Sequence, residues 1–183
     1  MILYKNVDIL DLMSIMEKGL LSIDKCGNDN WGYGKRSDNS TSVVYLFKPI
    51  GEKNVFPNYG VALLEIDCDN AVEHKMSEND AHKDDYIEYT VDEISPKQIK
   101  KIIIPKILKD RISIPENIKV TWCDICADVF DENEKSHFRQ ASQEDFEQFA
   151  KTAPLDTEEF NFFRGIKKNN TMLDLYNVKY VWR

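Results

Sequence analysis

The chain has 183 residues, 32 of them acidic and 24 basic, for a formal net charge of −8. That length suits one domain with a real core, and 42% hydrophobic with 11% aromatic residues excludes a disordered chain. The negative balance opposes nonspecific docking on a phosphate backbone. No apolar run approaches membrane-spanning length. Met1-Ile2-Leu3-Tyr4-Lys5 lacks the basic and apolar regions of a signal peptide. With nothing to suggest secretion, the expectation is a soluble cytoplasmic protein whose four cysteines are free thiols.

In chain order, Ile2-Leu3-Tyr4 reads as a short strand. A helix follows, capped by Asn6 or Asp8, with Ile9, Leu12, Met13, Ile15 and Met16 on one broad face. Gly19 ends it as a C-cap, and Leu20-Leu21 packs back beneath it. Cys26 to Ser40 is a long polar, glycine-rich loop holding Trp31 and Tyr33, flat surfaces on which a base or nicotinamide ring can stack. Neither G-x-G-x-x-G after a strand nor G-x-x-x-x-G-K-[ST] is present. Ser42–Phe47 and Tyr59–Cys68 are strands, the second apolar almost throughout and therefore central. Asn70 to Asp84 is acidic and is expected to be a loop or a short helix.

Ile87, Tyr89 and Val91 alternate with Glu88 and Thr90, the period of a half-buried strand with Glu88 on the solvent side. Ser95-Pro96-Lys97-Gln98 supplies an N-cap, a proline at the first helical position and a glutamine placed to close a capping box. Lys101–Pro105 and Asn117–Trp122 return as strands. Ser142–Asp145 and Asp156–Glu159 each open a helix, and Val178–Trp182 is a terminal strand. The fold class is mixed α+β, with short strands forming the core and helices outside them.

Charge is unevenly spread. From Glu65 to Glu93 there are eleven carboxylates against Lys75 and Lys83, and from Lys97 to Arg111 six cations against Asp110. Cys123 and Cys126 form one C-x-x-C, with His137 eleven residues on. A zinc site needs four ligands, and with no second pair it would have to recruit Cys26, Cys68, His74 or His82 from afar, so no metal is expected. No serine or cysteine sits in a nucleophile motif, so a hydrolase triad has no support.

The order Leu3-Tyr4-Lys5, helix Ile9–Lys18 with Gly19-Leu20-Leu21, Val43–Leu46, Gly60–Asp67, then Glu88–Val91 with Ile94-Ser95-Pro96 and Ile99 resembles the ADP-ribosyltransferase fold. The pattern is similar to DNA-targeting ADP-ribosyltransferase toxins and related small phage or bacterial enzymes, and more distantly to tRNA 2′-phosphotransferases. The resemblance covers residues 2–105 and rests on the order of the motifs. It implies one domain over 1–183, a transferase-like core over 1–105 and a helical extension with closing strands over 106–183. It further implies NAD as substrate and a macromolecular acceptor, a protein or a nucleobase. Glu88 falls at the catalytic glutamate, Tyr45 at the position packing on nicotinamide, and Lys5 where a histidine or arginine would contact the NAD ribose or phosphate. Trp31 or Tyr33 would help hold the ring system. Lysine departs from the pattern: it reaches a phosphate as a point charge, without arginine's bidentate fork. The competing expectation is an acidic, non-catalytic interaction protein, such as a phage-type inhibitor of host defence. Its carboxylates would be steered to the basic faces of other proteins.

Overall fold

The computed structural model describes residues 1–27, 39–51, 60–78, 80, 83–127, 139–140, 143–156, 166–168, 171–174 and 178–181. Its elements run β1 (Ile2–Val7), α1 (Leu12–Lys18), β2 (Leu20–Leu21), α2 (Ile23–Cys26), β3 (Val44–Pro49), β4 (Ala62–Asp67), β5 (Val72–His74), β6 (Tyr86–Val91), β7 (Glu93–Ile94) and β8 (Ile99–Pro105). There follow β9 (Val120–Ala127), β10 (Arg139–Gln140), α3 (Gln143–Thr152), β11 (Ile166–Lys168), β12 (Thr171–Asp174) and β13 (Val178–Val181). The protein is α+β. A mixed sheet of seven strands, with β13 added beyond β9, has the order β13-β9-β8-β4-β1-β3-β6-β5. Its pairs are antiparallel except β8–β9, where a crossover from Lys106 to Lys119 permits parallel pairing.

The apolar run Ala62-Leu63-Leu64 makes β4 the centre of the sheet, fully buried between β1 and β8. Ile102, Ile103 and Ile104 of β8 continue this core, which is buried on both faces. Such continuous burial is why these strands read as unbroken hydrophobic runs rather than alternating ones. On the far side, the Arg111 guanidinium donates to the carbonyls of Ala150 and Ala153, tying the end of α3 to the turn at Lys106–Leu108.

Two glycines are required by close approach. Gly19, at φ +88°, closes α1 by donating its N–H to the Ile15 carbonyl, and a Cβ there would lie 2.0 Å from the Ile94 carbonyl oxygen. That contact lets Leu20 pair with Ile94, joining β2 to β7 rather than leaving Leu20-Leu21 simply packed beneath the helix. Gly60, at φ +124°, abuts the Val7 backbone, and its carbonyl accepts the Asn6 side-chain amide at 3.2 Å. Both sites exclude any residue with a Cβ.

The capped helical turn expected at Ser95–Gln98 is present as a 3₁₀ turn, Pro96–Gln98, with Gln98 Oε1 accepting the Ser95 N–H at 2.9 Å, and the chain resumes a strand at Ile99. Two expectations need correction. Asn70–Asp84 holds a strand, β5, which forms the edge of the sheet. Glu88 is buried, not solvent-facing.

Candidate functional site

The site begins with β6. Its aromatic and β-branched residues favour an extended chain, and it pairs with β3 over its whole length, from Tyr86↔Pro49 to Val91↔Val44. On its other side lies β5, registered Val72↔Thr90, Glu73↔Tyr89 and His74↔Glu88. Cross-strand partners share a face, so Phe47, Glu88 and His74 project together, as does Tyr45 two residues from Phe47. Period-2 alternation therefore located the strand but assigned its buried face wrongly. Tyr86 and Glu88 are both buried, the first with its ring 5.6 Å from that of Phe47.

Glu88 is 5% exposed, and its Oε2 lies 2.8 Å from Nδ1 of His74. A buried carboxylate demands such a partner, since an unpaired one costs several kcal/mol, of order the desolvation penalty of one ion. The Tyr45 ring meets the imidazole edge-on, centroids 5.6 Å apart at 86°, and its hydroxyl accepts the Ser40 N–H at 2.8 Å. Tyrosine and carboxylate thus hold the histidine from two sides.

Lys5 enters from β1. Among the described residues, β1 and β3 register only at Tyr4↔Phe47, and the Lys5 ammonium donates to the Tyr45 main-chain carbonyl at 3.1 Å. Burial pushes its ammonium down to about 8, and the Glu88 charge pulls the other way. A lysine with an acidity this far from 10.5, electrostatically coupled to a buried carboxylate, has the character of a functional group. Beside it, the Tyr4 hydroxyl donates to Glu65 Oε2 at 3.5 Å, and Lys101 pairs with the same oxygen at 3.3 Å. That second carboxylate is therefore engaged within the sheet.

Lys5, Tyr45 and Glu88 are thus brought onto three neighbouring strands, β1, β3 and β6. Trp31 and Tyr33 lie outside the described residues. No family model, curated protein or solved structure matches this chain.

His74 is the member that sequence reasoning missed. Its strand spans three residues inside an acidic stretch, too short to show alternation, and the β-branched Val72 two residues before it was the one available signal. The C-x-x-C falls within β9, where the Cys123 thiol is buried and pushed up to about 12 by desolvation, then by the Asp124 charge. Such a thiol resists becoming the thiolate a metal needs. Among the described residues, no group of three or more His, Cys, Asp or Glu is placed to hold a metal ion. No helix among them is long and apolar enough to cross a membrane.

Proposed function

We propose that this protein is an NAD-dependent mono-ADP-ribosyltransferase acting on a macromolecular acceptor, a protein or a nucleobase. One observation supports the reading above others. Lys5, Tyr45 and Glu88, drawn from three separated motifs, converge on adjacent strands, with Lys5 coupled to Glu88 and bonded to Tyr45.

Breaking the nicotinamide–ribose bond develops an oxocarbenium-like cation, which a fixed negative charge stabilises as in glycoside chemistry. Glu88 supplies that charge from a rigid strand within a low-dielectric surround, where it acts more strongly than in water. Tyr45 offers a ring to the nicotinamide, and Lys5 a point charge to a phosphate. In a cell lysate with labelled NAD, a macromolecule gains label. Glu88→Gln lowers that labelling roughly a hundredfold or more, the order lost with one electrostatic group in an active site. Equal labelling by the variant would remove Glu88 from the reaction.

A second reading has its own observation. Glu73, Asp84, Asp92 and Glu93 are exposed on and around the edge pair β5–β6. Such a surface suits a non-catalytic inhibitor that docks on the positive face of another protein. In that case a captured partner is released by salt, carries no ADP-ribose mass, and is bound equally by Glu88→Gln.

A further inference from the structure

The pairing of Glu88 with His74 distributes the two tasks of the transfer step unevenly. Glu88 is withdrawn from solvent, whereas the His74 side chain keeps 34% of its surface open. With Nδ1 turned to Glu88 Oε2 at 2.8 Å, Nε2 is the ring nitrogen left for an incoming group. It has no hydrogen-bond partner among the described residues. The Tyr45 ring against the imidazole edge restricts the ring's rotation. A buried carboxylate that holds an imidazole by one nitrogen fixes its tautomer and leaves the other nitrogen as an oriented base.

We propose that His74 is the general base of this site, its Nε2 taking the proton of the acceptor. This rests on the transferase reading and extends it. The step balances as follows: the C1″–nicotinamide bond breaks with its electron pair passing to nicotinamide, which leaves neutral. The acceptor heteroatom bonds to C1″, and its proton moves to His74 Nε2. Glu88 keeps the electrostatic task and orients the imidazole. The acceptor class follows from this chemistry: a group neutral before attack that must lose a proton, such as a hydroxyl, a carboxamide N–H or a nucleobase N–H. A carboxylate or thiolate acceptor would arrive already deprotonated and leave the histidine without a task.

The test compares His74→Asn with His74→Ala. Asparagine can still donate to Glu88 from near the Nδ1 position, so Glu88 stays paired, but it carries no basic nitrogen. Transfer of label from NAD to a lysate acceptor is expected to fall a hundredfold or more in both variants, within the range for a lost general base. NAD affinity, read by equilibrium dialysis, stays within about threefold, as expected when only the transition state is affected. Added imidazole is expected to restore transfer in His74→Ala, where a cavity receives it, and not in His74→Asn. Full transfer by His74→Asn would overturn the proposal, because a donor alone would then suffice. So would a shortfall in His74→Ala that imidazole leaves unchanged while asparagine repairs it. If the wild-type protein neither binds nor cleaves NAD, the transferase reading itself fails and the base assignment falls with it. That outcome is distinct from an active wild type with an equally active His74→Asn.

Discussion

Replacing Lys5 by methionine isolates the electrostatic cost of the site. The Lys5 ammonium titrates near 8 in the folded protein against 10.5 for an ordinary lysine, chiefly because burial strips its water. Each unit corresponds to about 1.4 kcal/mol, so below pH 8 the buried charge opposes folding by roughly 3 kcal/mol. Between pH 8 and 10.5 the unfolded chain binds this proton and the folded one does not, so wild-type stability from this group rises with pH. Methionine fills similar volume without the charge but abandons the Tyr45 carbonyl, a loss of about 1 kcal/mol; the attraction of Glu88 is already contained in the net lowering. At pH 7 the variant is therefore expected to exceed the wild type by about 2 kcal/mol. By pH 10 the wild type gains on it by about 3 kcal/mol, the lysine then being neutral in the folded protein but still mostly charged in the unfolded chain. Urea denaturation of both proteins at pH 7, 8, 9 and 10 reads this directly. Groups that titrate alike in both cancel in the difference, which corresponds to a relative shift of the midpoints of about 1–2 M. Parallel curves across that window would show that Lys5 is hydrated in the folded state, and the coupled Lys5–Glu88 site would lose its physical basis.

Other substitutions probe the scaffold. Gly60→Ala places a Cβ about 2.3 Å from the Val7 carbonyl atoms at a positive φ, so the midpoint of thermal unfolding is expected to fall by several degrees, corresponding to roughly 2 kcal/mol or more. Arg111→Met strips two carbonyls at the end of α3 of their donor, and urea denaturation is expected to show a loss of about 1–3 kcal/mol. Leu63→Ala empties the fully buried centre of the sheet and is expected to cost about 2–5 kcal/mol by the same measurement.

The elements that carry the candidate site were legible where side-chain chemistry dictates conformation over several residues. The apolar run Val61–Leu64 marked a central strand, and Ile87-Glu88-Tyr89-Thr90-Val91 marked β6. What stayed hidden depends on partners distant in the chain. Glu88 is buried because β5 and β3 flank it and His74 Nδ1 meets its carboxylate, none of which alternation within β6 can reveal. β5 itself and the two-residue strands β2 and β7 exist through pairing alone, being too short for periodicity to act. The glycine at 19 was visible as a helix stop. Its second task, admitting the Ile94 carbonyl, emerges only in three dimensions.

The central claim is that Glu88 drives cleavage of NAD, and release of free nicotinamide measures that step without knowledge of the acceptor. Wild-type protein and Glu88→Gln, matched for thermal midpoint, are incubated with NAD with and without cell lysate, and nicotinamide is quantified by chromatography. The expected result is release by the wild type, increased by lysate, and release by Glu88→Gln lower by roughly a hundredfold or more. Equal release by both proteins, or none above the lysate background from the wild type, would contradict the claim.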